Sequence, residues 1–276
     1  MKLQYISQGK NHKEHIDGIA AACRAGVRWV QLRVKNMKML ETVELAKEVR
    51  KVCDEYKATL IINDYPLVAS AVGADGVHIG KNDMSFIEAR KMLGNQMIIG
   101  VTANTFQDIQ SYWDLPTKIK KPDYIGLGPF KFTKTKQKLS PILGIEGYKE
   151  ILSQCVSAKI AVPIIAVGGI KPKDVAVLHA VGLTGVAVYS MIISSRSRKQ
   201  LVKNILVELG KKSSINRRKQ VGLTSISDTP IRMRKAHVRK KIVRRMSVAE
   251  IEALANQEVP LKHSGLGPKK PKRIQE

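Results

Sequence analysis

The chain has 276 residues, 43% of them hydrophobic and 5% aromatic, which suits an aliphatic packed core and not a disordered polymer. No run approaches the roughly 18 to 20 apolar residues of a membrane span, and the polar start MKLQYISQGKNHKEH lacks the apolar middle of a secretion signal, so a cytoplasmic protein without a membrane partner is expected. The formal net charge of +25 is uneven: residues 211–276 hold 18 Lys and Arg against 5 Asp and Glu, a net of +13, which leaves +12 for residues 1–210.

In chain order, short β-branched or apolar runs read as strands at 3–7, 29–34, 59–63, 76–79, 97–101, 124–128, 163–168 and 185–190. Stretches with helical spacing lie between them at 39–56, 85–93, 105–113, 145–156, 172–181 and 196–210; in the first, Leu40, Val43, Leu45, Val49 and Val52 make the apolar stripe. Repeated strand-then-helix units imply a parallel sheet, either a closed barrel or a doubly wound open sheet. The polar residues favour the barrel, because they cluster at one strand end after another, and in a barrel every strand delivers its C-terminal end to one face, where the loops build the site. The expected organisation is therefore α/β, a (β/α)₈ TIM barrel over 1–210, followed by a basic, mobile extension over 211–276 with one short helix near 247–257, where Ser247 and Glu250 have capping-box spacing.

Strict alternation in Val30-Gln31-Leu32-Arg33-Val34-Lys35 projects Gln31, Arg33 and Lys35 to one side, an amide and two cations fit for an anion-bearing heterocycle. Asn63 and Asp64 follow an apolar strand, and Asp83 follows the next; two carboxylates on neighbouring loops suit Mg²⁺, although each aspartate reads equally well as a helix cap. The turn GPFKFTKTK after the sixth strand carries Thr133, Thr135 and Lys136, and Gly168-Gly169 with Tyr189-Ser190 follow strands seven and eight, where barrels form phosphate sites. His78 reads as a satisfied core histidine. The three cysteines, Cys23, Cys53 and Cys155, read as reduced core thiols with no catalytic role.

Taken together and in order, QLRVK, NDYPLVA, GADGVHIGKND, GVTANT, DYIGLGPFKFTKTK, PIIAVGGI and GVAVYS resemble the thiamine phosphate synthase family over about residues 1–210. That resemblance implies a transferase of thiamine biosynthesis that joins hydroxymethylpyrimidine diphosphate to hydroxyethylthiazole phosphate and releases diphosphate, with Arg33, Lys35 and Lys136 as its catalytic cations. It further implies that Gln31, Arg33, Lys35, Asn63, Thr102 and Lys136 hold the pyrimidine diphosphate. Thr133, Thr135, Gly169, Tyr189 and Ser190 would hold the thiazole phosphate, and Asp64 and Asp83 would hold Mg²⁺. Departures from the family pattern stand at Lys81 and Asn82, where glutamine and an acidic residue are usual, and at Thr102 and Asn104, where serine and histidine are frequent. A thiazole tautomerase of the same barrel family is the alternative enzyme, and Asn104 argues against it because an amide cannot shuttle a proton.

The extension carries RRKQ, RMRKAHVRKKIVRR and PKKPKR but no aromatic residue after Tyr189, so any nucleic-acid contact it makes is expected to be nonspecific and to the phosphates. A functionally neutral solvated tail is the competing reading.

Overall fold

The computed structural model of the protein describes residues 2–133 and 140–211. Eight strands alternate with helices: β1 (Leu3–Ile6), α1 (His12–Arg24), β2 (Trp29–Leu32), α2 (Met39–Glu55), β3 (Thr59–Asn63), α3 (Pro66–Ala71), β4 (Gly76–Ile79), α4 (Phe86–Leu93), β5 (Ile98–Ala103), α5 (Phe106–Trp113), β6 (Tyr124–Leu127), α6 (Gly144–Ser157), β7 (Ile164–Val167), α7 (Val175–Ala180), β8 (Gly185–Val188), α8 (Ser190–Ile193) and α9 (Arg198–Gly210). All neighbouring strands pair in parallel in sequence order, and β8 returns to β1 with Leu3 opposite Val186. That last pairing makes the sheet a closed barrel and excludes the open alternative.

Every strand was anticipated, two of them (59–63 and 76–79) with the same ends and the others with ends shifted by at most two residues. The second ends at Leu32, two residues early, because the chain then leaves the ladder for a turn in which Asn36 has a φ of 56°. Three helices were not anticipated. α1 buries His15, Ile19, Ala22 and Cys23, a face too small and polar to show an apolar period, although Asn11 caps it by accepting from the Glu14 N–H. α3 is six residues long and α8 only four, too short for periodicity to show. The stretch 172–181 divides into a 3₁₀ turn, Pro172–Asp174, and α7.

The alternation of β-structure sorts side chains into two cores. Outward residues pack the strands against the helices, while Trp29, Ile61, Ile98, Tyr124, Ile165 and Ala187 fill the barrel interior. A glycine at position 100 admits the ring of Tyr124, since a β-carbon there would lie 2.0 Å from the ring's Cζ. At the face where strands begin, one device appears twice. Asp75 Oδ2 accepts from Leu60 N and from Arg50 of α2, both at 2.8 Å, and Asp123 Oδ2 accepts from Ile99 N at 2.9 Å and from Arg90 of α4 at 3.0 Å. Each aspartate ties the next strand's entrance to its neighbour and to a helix, which leaves the opposite face for chemistry. No helix among the described residues is long and apolar enough to cross a membrane.

Candidate active site

The C-terminal strand ends surround a cavity of about 910 Å³. Gln31, Arg33, Asn63, Asp64, Asp83, Thr102, Thr133, Gly169, Tyr189 and Ser190 all line it, so the structure brings together ten of the thirteen residues singled out from sequence. Lys35 does not line it: β2 has ended, and the side chain sits on an exposed loop, where burial and then the charge of Arg33 hold its pKa below the ordinary value. Thr135 and Lys136 lie outside the described residues, as does the whole extension from 212 onward.

Neither aspartate is a helix cap. The N-cap of α3 is Tyr65 without a side-chain bond, and α4 is capped by Ser85 in a reciprocal box with Glu88. Asp64 instead adopts a left-handed φ of 66°, anchored by its N–H to the His78 carbonyl at 2.8 Å, and its carboxyl hydrogen-bonds that of Asp83. Asp83 Oδ2 also accepts from Gly80 N at 2.7 Å. Burial first, then the hydrogen bond and charge of Asp83, raise the Asp64 pKa from 3.8 to about 7. Two carboxyls in contact cannot both ionise cheaply, so they share a proton or a cation. Arg33 lies within electrostatic reach: burial lowers its pKa, and the charges of Asp64 and Asp83 oppose that shift.

The donor set fits a hard divalent cation. Both groups are carboxylate oxygens, and no cluster of three or more His, Cys, Asp or Glu occurs among the described residues, so such an ion would complete its shell with water or substrate oxygens, as Mg²⁺ commonly does. Lys81 stands beside this pair in sequence, yet its ammonium lies 2.8 Å from Asp108 of α5. Asn82 lines the cavity without adding charge.

Across the cavity, the loops after β6 and β7 are zipped together. Phe130 N donates to Val167 O at 2.9 Å, Lys131 N to Gly168 O at 3.1 Å, and Lys131 Nζ meets Asp174 at 2.7 Å. Gly168 and Gly169 have φ of 96° and 66°, and a β-carbon at Gly169 would fall 2.6 Å from the Phe132 carbonyl oxygen. Glycine is therefore required on two counts, and the bare backbone faces the same cavity as Ser190 at the start of α8, the arrangement in which barrels bind phosphate. Asn104 is buried, and its amide donates to the Gly128 carbonyl, stitching β5 to β6.

His78 is satisfied, as anticipated: Nδ1 contacts Tyr124 Oη at 3.1 Å and Nε2 contacts Thr102 Oγ1 at 3.0 Å. It also lines the cavity. Beneath it lie two buried polar residues that sequence reasoning passed over, Gln4 and Tyr124. Their signal was a polar group at the inward parity of an otherwise apolar strand. The cysteines are all free and buried, and burial raises all three thiols, those of Cys23 and Cys155 to about 11, which disfavours the thiolate.

A family model described as thiamine monophosphate synthase matches residues 3–192. The thiamine-phosphate synthase of Flavobacterium johnsoniae is 46% identical over 205 residues, covering 74% of this chain and 94% of that protein. That of Flavobacterium psychrophilum is 45% identical over 201 residues, covering 73% and 95%. Among solved structures, a thiamine phosphate pyrophosphorylase from Pyrococcus furiosus superposes with a TM-score of 0.63 at 25% identity, covering 75% of this chain and 95% of that one.

Proposed function

Because the chain belongs to the thiamine monophosphate synthase family, we infer that it is a thiamine-phosphate synthase, a transferase that joins hydroxymethylpyrimidine diphosphate to hydroxyethylthiazole phosphate. The thiazole nitrogen attacks the pyrimidine methylene carbon, the bond from that carbon to the diphosphate oxygen breaks, and diphosphate leaves with the electron pair. The methylene passes through a carbocation-like state. No protein nucleophile takes part, so catalysis consists of holding two substrates in line and accepting charge on the leaving group.

The observation that carries this reading is the opposition, across one cavity, of a carboxylate pair with an arginine and a glycine-backed phosphate cradle. Asp64 and Asp83 are the residues that would hold Mg²⁺, which when bound supplies positive charge against the departing diphosphate. Arg33 binds the diphosphate oxygens from the same side, and Asn63, whose amide steadies Asp64, completes that wall. Gln31 and Thr102 orient the pyrimidine on the cavity floor. Thr133, Ser190 and the N–H groups at Gly168 and Gly169 hold the thiazole phosphate, with Tyr189 beside them. Lys35 and, from outside the described residues, Thr135 and Lys136 belong to the same assignment by resemblance alone.

Residues 1–210 carry the chemistry in this reading, and 211–276 carry none of it. The reduced thiols suit a cytoplasmic enzyme. A tautomerase is not supported: the relatives bear the synthase name, and the Asn104 amide is spent on Gly128. The test is formation of thiamine phosphate by the full chain from the two substrates, in Mg²⁺ and in chelator. Product that depends on Mg²⁺ supports the reading, and folded protein that makes none in either condition sinks it.

A further inference from the structure

Two of the residues lining the cavity, Gln31 and Thr102, are the ends of one buried chain of hydrogen bonds. Gln31 Nε2 donates to Gln4 Oε1 at 3.2 Å, Gln4 Nε2 donates to Tyr124 Oη at 3.4 Å, and Tyr124 and Thr102 flank His78 at 3.1 and 3.0 Å. Five strands thus contribute one link each to a circuit under the cavity. Tyr124 is its hub. The side chain is buried, packs its ring over Gly100, meets Trp29 edge-on at 4.9 Å and stacks on His78 at 5.5 Å, so its hydroxyl has one position.

We propose that Tyr124 and Gln4 are positioning residues that set the hydrogen-bond polarity of the cavity floor, so that it accepts an amino-bearing pyrimidine and rejects the oxo form. This rests on the synthase reading and deepens it. The direction of each link follows from donor counting. The Tyr124 oxygen receives N–H groups from Gln4 and also from the Gln31 amide, which occupies its lone pairs. Burial keeps the phenol protonated, and its one proton then goes to His78 Nδ1. A neutral imidazole that accepts at Nδ1 carries its proton on Nε2 and donates to Thr102 Oγ1. The Thr102 hydroxyl is left to donate into the cavity. Gln31, with its N–H groups committed to Gln4 and Tyr124, is left to offer its carbonyl. A floor with an acceptor at β2 and a donor at β5 complements an exocyclic amine beside a ring nitrogen. In an oxo-pyrimidine the amine is replaced by a carbonyl, which would face the Gln31 carbonyl, and each site group would lose its partner.

The experiment compares the full chain with Tyr124→Phe and Gln4→Leu, measuring kcat/KM for the aminopyrimidine diphosphate and for its oxo analogue, and KM for the thiazole phosphate. The phenylalanine keeps the ring against Gly100 and Trp29 and removes only the hydroxyl. We expect kcat/KM for the amino substrate to fall about tenfold in each variant, the preference for amino over oxo to fall by a similar factor, and the thiazole phosphate KM to stay unchanged. The preference is a ratio within one preparation, so it does not depend on the fraction folded. A preference unchanged in both variants, a thiazole KM that moves by the same factor, or an original chain that prefers the oxo form would each overturn the proposal. An original chain that makes no thiamine phosphate fails earlier, and would sink the synthase reading and this proposal with it.

Discussion

Replacing Asp64 by asparagine should make the metal-free protein more stable while destroying its response to Mg²⁺. In the folded chain the Asp64 carboxyl holds its proton to about pH 7, against 3.8 for an unperturbed group. The unfolded chain loses that proton near pH 4, so the folded state loses stability as pH rises from about 4 to 7, and the loss is complete above 7. Three pH units at about 1.4 kcal/mol each set an upper bound of roughly 4 kcal/mol; the half-buried carboxyl keeps some solvent, which reduces the expected cost to about 1 to 3 kcal/mol. Asparagine removes the charge, tolerates the left-handed φ of 66° and can still hydrogen-bond Asp83, whereas alanine would add backbone strain of its own. Thermal unfolding in chelator at pH 8 should therefore show the variant melting roughly 3 to 10 °C above the original chain, with the two converging near pH 4. Addition of Mg²⁺ should raise the melting temperature of the original chain and leave that of the variant in place. A variant that melts lower at pH 8, or one that keeps a Mg²⁺-dependent rise, would refute the assignment of this pair as a cation site held under electrostatic tension.

Three other expectations follow from the same geometry. Gly169→Ala forces a β-carbon into a left-handed position 2.6 Å from the Phe132 carbonyl, so the KM for thiazole phosphate should rise tenfold or more while that for pyrimidine diphosphate holds, a split that steady-state kinetics resolves. Arg50→Met strips the largely covered Asp75 of its Arg50 cation at the face away from the cavity; urea unfolding should show a loss of about 3 kcal/mol with kcat unchanged, and a fall in kcat at full folding would count against the separation of the two faces. Burial lowers the pKa of His15, whose Nδ1 lies 2.9 Å from Ser7 Oγ, so below pH 6.5 the unfolded chain binds a proton that the folded chain does not, and stability falls as pH falls. The slope, at most about 1.4 kcal/mol per pH unit for one proton, should diminish in His15→Asn, and equal slopes in the two proteins would contradict it.

The order of elements and much of the site were legible because they depend on local pattern. Strands buried on both faces leave continuous apolar runs, and polar or glycine residues that line the cavity sit where those runs stop, as Asn63, Asp64 and Gly168 do. Helices with weak faces escaped the same reasoning. α1 buries alanine, cysteine and histidine instead of leucine, and its clearest mark was a cap, Asn11 three residues before Glu14.

What the tertiary structure alone decided depends on contacts between residues far apart in the chain. The pairing of Leu3 with Val186 closes the barrel across 183 positions of sequence, and no local pattern encodes it. That neither Asp64 nor Asp83 caps a helix required seeing that Tyr65 and Ser85 hold the cap positions and that the two carboxyls meet. The alternation that made Lys35 a partner of Arg33 fails because β2 stops at Leu32, where the ladder with β3 ends. Gln4 and Tyr124, 120 residues apart, become one polar circuit only because strands one and six face each other across a closed interior. Sequence by itself determined which residues could do chemistry and in what order they arrive. The closed sheet decided which of them share a cavity, because burial and long-range pairing are set by the whole chain at once.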